Sequence, residues 1–424
     1  MGQPTARDRW TFVANSGVVS EFHDVVVVGA GQAGLVASHA LTERGVDHVV
    51  LERARVAERW RSERWDSLRF QFPNTVLALP GMPYDGQDPD GYAHHRDVLR
   101  WVERYASAVH APVREHSPVV SLEPRPGGWL VTTDQGVMRC RAVVLATGPF
   151  QRPRVPAVSA DLPDGVHQVH SADYRRPDLL PEGAVLVVGS GASGAQIAED
   201  LLAAGRTTYL CVSRHRRVPR RFLGRDVFTW LVEIGLMDRT RADWVEGRMP
   251  PTVLVTGVGG GHDLNLRDLE GQGATLLGTL RGATPDLVHL AEDVEEILAA
   301  ADSMCDDTVR AISAHATAQG FDIPPPETTP GVPPRPHPST LSLRKAGITS
   351  VIWSTGYSFD YAWVRARCLD GGGQPLQQRG VGQVPGLYFL GLHWMHTFKS
   401  GTFLGIGDDA AYVVDHLVTH ALRS

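Results

Sequence analysis

Two copies of one glycine pattern constrain this chain more than any other feature. The first lies in VVVVGAGQAGLVA, residues 25–37, and the second in VLVVGSGASGAQIAED, residues 185–200. In each copy an apolar run precedes GxGxxG and a helix-compatible run follows, which is the strand, tight turn and helix of a βαβ unit. The sequence therefore predicts an α/β protein with two Rossmann-like dinucleotide-binding domains. The glycines of the two patterns are Gly29, Gly31, Gly34, Gly189, Gly191 and Gly194.

Context, rather than the number of glycines, makes both copies significant. Glycine occupies 44 of 424 positions, so the bare pattern is expected by chance, and GIGDDA at 405–410 shows a variant with no strand before it. Each true copy continues into a helix that ends near a glycine, Gly45 or Gly205, and then into a second strand. In such a unit the second glycine lets a pyrophosphate approach the backbone at the helix N-terminus. The other loop candidates are Gln32, Ala33, Ser190, Ala192 and Ser193.

The ends of the second strands distinguish the two sites. VDHVVLE ends in Glu52, with Arg53 next, and an acid about 20 residues beyond the glycines bonds a free ribose 2′-hydroxyl. TTYLCVS ends in Ser213 and continues as RHRR, so a hydroxyl and guanidinium groups, Arg214 first, suit a 2′-phosphate. A solvated basic loop is the alternative for this second stretch. The contrast predicts FAD at the first site and NADPH at the second.

Composition argues against several other classes of protein. The net charge of −6 gives no basic footprint for nucleic acid, and no apolar run approaches the roughly 20 residues of a spanning helix. The N-terminal residues lack the apolar core of a signal peptide, so we expect a cytoplasmic protein. The four cysteines are far apart in sequence, which predicts reduced, mostly buried thiols. We expect no metal site, since His393 and His396 have no second pair of ligands.

Four further stretches carry a resemblance to a known family. They are ERWRSERWDSLRFQFPN (58–74), VVLATGPFQRPRVP (143–156), WSTGY (353–357) and the tail segment 386–414. In this order, together with the two glycine patterns, they resemble the flavin-containing monooxygenases among the two-dinucleotide-binding flavoproteins. The resemblance implies that the flavin-proximal residues include Trp60, that hinges lie at Thr147, Gly148, Thr355 and Gly356, and that Gly391 is in the segment closing over the isoalloxazine ring.

The resemblance also implies a reaction. In that family NADPH reduces FAD, and reduced flavin with O2 forms a C4a-hydroperoxide that oxygenates a nitrogen or sulfur atom of a small organic substrate. The family fingerprint FxGxxxHxxx, followed by Tyr or Phe, is present only in part, because Asp164 and Val166 stand at its Phe and Gly positions while His170 and Tyr174 match. Baeyer–Villiger oxygenation of a ketone and a low-turnover redox-sensing flavoprotein remain alternatives. We expect no nucleic-acid or membrane partner, and we leave a homodimer open.

Asn74 is our candidate catalytic residue. The resemblance places RFQFPN beside the reactive edge of the flavin, and an amide donates and accepts hydrogen bonds without titrating. A turn residue after Pro73 is the alternative reading of Asn74. If Asp408 opens the last helix, the positive end of that helix would face the flavin. GVGGGHD, residues 257–263, is interpreted as a flexible turn, because no P-loop lysine follows it.

The order of the motifs predicts the domains. We expect a split FAD-binding domain, residues 1–156 and 341–424, around an NADP-binding domain at 157–340 that carries an insertion. Residues 1–22 are predicted to be a loose arm and 96–109 a helix. Within the insertion, 287–320 has helical periodicity, and the Pro-rich stretch 323–338 is predicted to be an extended loop. The substrate itself cannot be inferred from the sequence, but we expect it to contact residues 218–340.

Overall fold

The structure of the chain is a computed structural model that describes residues 19–243, 251–323 and 336–423. Of the helices it contains, none is both long enough and apolar enough to cross a lipid bilayer. In chain order the α-helices of these residues are α1 (Gln32–Glu43), α2 (Glu58–Ser62), α3 (His95–Ala108), α4 (Ala192–Ala203), α5 (Val227–Glu233), α6 (Leu266–Gly271), α7 (Val294–Ala318) and α8 (Ile406–His420).

The first glycine pattern follows strand Val19–Val28, which lies in the middle of a nine-stranded sheet. This strand pairs in parallel with His48–Leu51 on one side and with Gly136–Leu145 on the other. Its valines 25–27 are fully buried, as in a parallel strand covered on both faces. Leu387–Phe389 extends the sheet, so both ends of the chain contribute to it. The other strands are Gln377–Gln378, Val381–Gly382, Val113–Arg114, Val119–Arg125 and Gly128–Thr133.

The second glycine pattern lies in a separate five-stranded parallel sheet. Its strand order is Thr275–Leu277, Thr208–Cys211, Ala184–Val188, Ile348–Trp353 and His167–His170. The predicted return to the first domain at residue 341 is therefore too early, because Ile348–Trp353 belongs to the second sheet. That strand is an apolar run that fits either sheet by its pattern, and only its pairing assigns it. The chain leaves the second sheet after Trp353.

Both predicted βαβ units are present. α1 and α4 begin within each glycine pattern and end just before Gly45 and Gly205. These two glycines have φ angles of 65° and 73°, a left-handed conformation that glycine adopts without steric cost at a helix end. The helix predicted at 96–109 is confirmed as α3.

Three local predictions need correction. The loose arm predicted to residue 22 is wrong from Val19 onward, because Val19–Val28 is a strand that already pairs with Val137 at its first residue. The helix predicted over 287–320 begins only at Val294, since Leu287–Leu290 is a strand in which Val288 is buried and His289 exposed. Most of the Pro-rich loop, residues 324–335, lies outside the described part of the chain.

The insertion has its own core and packs against the first lobe. α5 and α7 enclose Trp230 and Ile312, both fully buried. Residues 257–263 form a turn, but a tightly packed one: a Cβ atom at Gly257 would lie 2.7 Å from Cβ of Tyr92, and one at Gly261 would overlap the Tyr92 ring. The short strands here and at the hinges are His215–Arg217, Thr252–Thr256, His262–Asp263, Arg221–Phe222, Arg225–Asp226, Leu280–Ala283, Leu287–Leu290, Thr340–Ser342, Arg152–Pro153 and Tyr357–Ser358.

Candidate dinucleotide sites and active site

The first glycine loop forms a cradle with one open position. A Cβ atom at Gly29 would lie 2.6 Å from the carbonyl oxygen of Ala146, and one at Gly34 only 1.8 Å from the carbonyl oxygen of Gly29. At Gly31, by contrast, an added Cβ would meet nothing within 4 Å. Two glycines therefore permit the close strand and helix packing, and the third leaves space beside the N-terminus of α1, where a pyrophosphate fits.

Glu52 connects the second strand to this loop. Its side chain is buried, and Oε2 accepts a hydrogen bond from the backbone N–H of Ala30 at 2.9 Å. The other oxygen, Oε1, accepts from the N–H of Ala54 at 3.0 Å. The carboxylate is thereby fixed at the edge of the cradle, where a ribose hydroxyl can donate to it. Arg53 is exposed and lies 3.9 Å from Glu63, so the structure gives it no place inside the cradle.

The second glycine loop repeats this geometry almost atom for atom. A Cβ at Gly189 would lie 2.6 Å from the carbonyl oxygen of Ser354, and one at Gly194 would lie 1.8 Å from that of Gly189. At Gly191 the nearest atom would be Oγ1 of Thr252, at 3.9 Å. The donors and the space that a second pyrophosphate needs are therefore present at the start of α4, which includes Ala192 and Ser193.

Ser213 takes the position that Glu52 holds in the first site. Its Oγ accepts a hydrogen bond from the N–H of Ser190 at 3.0 Å, and the hydroxyl of Ser190 accepts from the N–H of Ser213 at 2.8 Å. Arg214 follows and is exposed. The expected group of several guanidiniums is wrong, because Arg216 is buried against Thr308 at 3.1 Å and Arg217 pairs with Asp302 at 2.9 Å. Of the arginines in SRHRR, Arg214 is the most exposed and directly follows Ser213.

The two hinge segments run side by side. Arg152–Pro153 and Tyr357–Ser358 pair as an antiparallel ribbon, and the N–H of Arg154 donates to the carbonyl oxygen of Gly356 at 3.0 Å. The hydroxyl of Thr355 donates to the carbonyl oxygen of Arg154. Just beyond the ribbon the rings of Phe150 and Tyr357 meet at 5.1 Å. Gly148 and Gly356 have φ angles of 72° and 79°, which lets both segments turn at the junction of the lobes.

The tail segment covers the first site and is held by the insertion. A Cβ at Gly391 would lie 2.6 Å from Cβ of Ala33, so this glycine permits contact with the start of α1. Farther along, the N–H of Lys399 donates to the carbonyl oxygen of Met237 at 3.0 Å. The ammonium group of Lys399 lies 2.9 Å from both Asp238 and Asp408. One lysine therefore joins the insertion, the covering segment and α8.

α8 begins at Ile406, two residues before the predicted start at Asp408. Its first turn also contains Asp409, which is buried and whose Oδ2 has no hydrogen-bond partner in the described part of the chain. Burial raises the pKa of Asp409 to about 6. The N-terminus of α8 is thus a desolvated position with an acid that readily takes up a proton.

Asn74 is buried at the start of a short 3-10 helix, Asn74–Leu77. Its Nδ2 donates to the carbonyl oxygen of Asp88 at 2.8 Å, and its Oδ1 accepts from the N–H of Ala93 at 2.7 Å. The amide therefore holds the loop 88–93 in place. Its contact with a reacting group stays a prediction, and one Nδ2 hydrogen remains for it.

Aromatic side chains surround the junction of the lobes. The ring of Trp60 lies 6.3 Å from that of Phe70 and 6.4 Å from that of Phe403. His393 touches Phe150, with 5.2 Å between ring centroids. His393 is exposed, yet desolvation by the surrounding protein lowers its pKa to about 4, so the imidazole is neutral at pH 7. The sequence favours core or pocket packing over metal binding for His393, but it could not place the residue beside Phe150, because the two lie far apart in the chain.

The cysteines form no redox pair. Cys140, Cys211, Cys305 and Cys368 are all buried and free, and burial raises the pKa of each thiol. A raised pKa keeps a thiol protonated and unreactive. Across the described ranges, no three His, Cys, Asp or Glu side chains come together as metal ligands would.

Comparison with known proteins gives one consistent picture. Residues 26–224 match the family model described as pyridine nucleotide-disulphide oxidoreductase. A CzcO-like oxidoreductase of Geobacillus kaustophilus is 31% identical over 94% of this chain and 99% of its own length. The indole-3-pyruvate monooxygenase YUCCA1 of Oryza sativa is 32% identical over 48% of this chain and 51% of its own.

Solved structures agree on the fold. A flavin-containing monooxygenase from Stenotrophomonas maltophilia superimposes with a TM-score of 0.67 at 20% identity, covering 94% of this chain and 99% of that one. An S-allyl-L-cysteine S-oxygenase from Allium sativum gives 0.58 at 16% identity, over 93% and 77%. A bacillithiol disulfide reductase from Bacillus cereus gives 0.61 at 12%, over 95% and 100%. The fold is therefore shared by oxygenases and reductases, and the residues of the site must distinguish them.

Proposed function

Because the chain belongs to the CzcO-like oxidoreductase family and has the fold of the flavin-containing monooxygenases, we propose that it is an FAD- and NADPH-dependent monooxygenase. It transfers one atom of O2 to a nitrogen or sulfur atom of a small organic substrate. NADPH and a proton supply two electrons and two hydrogens in total, so that the second oxygen atom leaves as water. The bound flavin supplies the O2 chemistry, and the protein supplies binding, orientation and exclusion of water.

The convergence of two complete dinucleotide cradles at one junction is the observation that carries this proposal. Gly29 lies against Ala146 and Gly189 against Ser354, so each cradle abuts one hinge segment. The two hinge segments then pair and meet at Phe150 and Tyr357. Dinucleotides whose pyrophosphates lie at Gly31 and Gly191 can therefore direct their reactive rings into the same cleft.

The second-strand residues support the assignment of the two cofactors. Glu52 offers a carboxylate to a ribose hydroxyl and would repel a 2′-phosphate. This suits FAD, which has the free hydroxyl and no 2′-phosphate. Ser213 and the exposed Arg214 offer a hydroxyl and a cation, which suits the 2′-phosphate of NADPH. The remaining loop residues would donate backbone N–H groups to the pyrophosphates.

The cysteines favour oxygenation over disulfide reduction, although both occur on this fold. A disulfide reductase needs reactive thiolate sulfur near the flavin. Here each of the four thiols is buried and singly placed, and burial holds the pKa of Cys211 at about 12. None of the four can therefore readily attack a disulfide.

Asn74 is proposed to act at the reacting end of the flavin as well as in its loop. Its second Nδ2 hydrogen is the group available for this, and the loop bonds at Asp88 and Ala93 would hold the amide rigid. A rigid donor beside a reactive oxygen species slows its unproductive decay, because the donor does not need to reorganise. The lobes are proposed to be the FAD-binding and NADP-binding domains, and the protein is proposed to act in the cytoplasm.

The experiment that tests the proposed function is product analysis on a matched panel. Purified holoenzyme, NADPH and air are supplied with an amine, a thioether and a ketone of similar size. The proposal expects an N-oxide, hydroxylamine or sulfoxide to accumulate. If the ketone gives an ester and the amine and thioether give no product, the reaction is a Baeyer–Villiger oxygenation. If the flavin is reduced but no oxygenated product forms, the redox-sensing role is favoured.

A further inference from the structure

A guanidinium group in the cleft has no anionic partner. The nearby Arg61 pairs with Glu103, but no carboxylate in residues 19–243, 251–323 or 336–423 forms an ion pair with Arg64. Its neighbour Glu63 pairs with Arg59 instead. The polar contact of Arg64 is a hydrogen bond from Nη1 to the carbonyl oxygen of Glu63, at 2.9 Å.

Two aromatic rings flank this half-buried cation. Its Cζ lies 4.9 Å from the ring centroid of Trp60 and 6.0 Å from that of Phe150. Desolvation lowers the pKa of Arg64, although the group stays charged at neutral pH. Within the described residues Arg64 is half-buried, forms no ion pair and makes one hydrogen bond, so guanidinium donors remain for an anion that binds beside the two rings.

Two further polar side chains border the same ring. His393 contacts Phe150 at 5.2 Å and Tyr357 contacts it at 5.1 Å. His393 is exposed and makes no hydrogen bond within the described part of the chain. Arg64, His393 and Tyr357 thus come from three separate segments of the chain and all border the ring of Phe150.

This place is separate from both pyrophosphate cradles. Phe150 lies four residues beyond Ala146, which contacts the first cradle, and Tyr357 lies three residues beyond Ser354, which contacts the second. We propose that Arg64, with His393 and Tyr357, binds a carboxylate group of the substrate. The inference rests on the proposed function and narrows its substrate to a small organic acid with an oxidisable nitrogen or sulfur atom.

The test is a binding measurement on oxidised holoenzyme, without turnover. Benzoate and phenylacetate are titrated by calorimetry and compared with benzamide and phenylacetamide, which have the same shape and no charge. We expect each acid to bind at least tenfold more tightly than its amide. In Arg64→Gln the acids should bind about 10- to 100-fold more weakly, as for loss of a charge-assisted contact, while the amides should be unaffected.

Control variants distinguish loss of the carboxylate site at Arg64 from a general effect of removing a positive charge. Arg61→Gln removes an arginine that belongs to α2 and pairs with Glu103, and it should leave both affinities unchanged. Arg64→Lys keeps the charge without the planar fork and should retain part of the preference. If Arg64→Gln does not fold with FAD, Arg64→Lys and His393→Phe give the same comparison, each with a reduced preference for the acids.

Three results would overturn the inference. Equal affinity of acids and amides in the unmodified protein would remove the carboxylate site. Weaker NADP⁺ binding in Arg64→Gln, with carboxylate binding unchanged, would assign the cation to a phosphate. A lowered flavin midpoint potential with carboxylate binding unchanged would assign it to the reduced flavin. None of these results contradicts the proposed monooxygenase function, because that function is tested by product formation and not by ligand binding.

Discussion

The hydroxyl oxygen of Ser213 accepts the backbone N–H of Ser190 at 3.0 Å, in the same place where Glu52 accepts the N–H of Ala30 in the first lobe. The two cradles therefore share one scaffold and differ in the group offered to the ribose. A carboxylate in one and a hydroxyl in the other is the simplest chemical basis for two different dinucleotides.

Arg214→Ala should weaken the use of NADPH selectively. Loss of a charge-assisted contact of about 1.5–3 kcal/mol predicts a roughly 10- to 150-fold lower efficiency with NADPH, and little change with NADH. Flavin reduction followed at several coenzyme concentrations measures both. Arg217→Ala is the control, because Arg217 is half-buried and already pairs with Asp302 at 2.9 Å. Equal losses with both coenzymes would show that Arg214 does not contact the 2′-phosphate.

Gly31→Val should give a folded protein without flavin. The open space at Gly31 accommodates a side chain without a clash, yet that same space is where the pyrophosphate would lie. Circular dichroism should therefore show a native fold, while the visible flavin absorbance is lost. Gly191→Val should keep the flavin and lose NADPH binding. If Gly191→Val also releases the flavin, the two cradles are not independent.

Gly34→Ala should instead prevent folding. Its Cβ would lie 1.8 Å from the carbonyl oxygen of Gly29, which is backbone and cannot move aside. We expect insoluble protein or a loss of several kcal/mol in the free energy of unfolding, as for overpacking at its severe end. Soluble, flavin-bound Gly34→Ala protein of unchanged thermal stability would contradict the close packing of α1 on its strand.

Asp409→Asn should stabilise the protein at neutral pH but not in acid. Burial raises the folded-state pKa of Asp409 to about 6, whereas the unfolded chain ionises near 4. The stability that the raised pKa confers is therefore present below about pH 4 and lost as pH rises through 6. The uncharged variant avoids this loss, of up to about 3 kcal/mol. Denaturant unfolding at pH 4.5 and 8 should show a clearly larger gain at pH 8; equal gains at both would contradict it.

Two measurements on Asn74→Ala distinguish a loop-holding role of Asn74 from a role at the reacting group: the free energy of unfolding and the release of hydrogen peroxide. Removing the amide leaves the Ala93 N–H without its partner and the Asp88 carbonyl with only the Tyr84 hydroxyl, at 3.3 Å, which should cost about 1–3 kcal/mol in the free energy of unfolding. If Asn74 also touches the reacting group, hydrogen peroxide released per NADPH consumed should rise while flavin reduction stays fast. Lower stability with unchanged peroxide release would leave Asn74 as a loop residue only.

Local patterns predicted the nucleotide-binding parts of the fold well. The strand, turn and helix around Gly29 and Gly189 are contiguous in sequence, and each follows from burial and glycine geometry alone. The lobe assignment of Ile348–Trp353 could not be predicted in this way, because it depends on pairing with Ala184–Val188, more than 150 residues earlier. The apolar pattern of a single buried strand does not show which distant strand it pairs with.

The cleft was harder to predict for the same reason. Four segments of the chain contribute Arg64, Phe150, Tyr357 and His393. Their local sequences do not predict that these side chains lie close together. The basic stretch SRHRR shows the opposite error. Charge in a short run suggested one cluster, whereas Arg216 is buried against Thr308 and Arg217 pairs with Asp302 of the insertion. Neighbours in sequence are not neighbours in the site.

The measurement that tests the central claim most directly is the fate of labelled dioxygen. Holoenzyme is incubated with NADPH, a thioether and oxygen-18 gas, and the product is analysed by mass spectrometry against NADPH consumption. The account predicts a sulfoxide carrying a single heavy oxygen atom, in amounts close to the NADPH oxidised. Consumption of NADPH that yields only labelled hydrogen peroxide, with no label in any amine or thioether supplied, would contradict it.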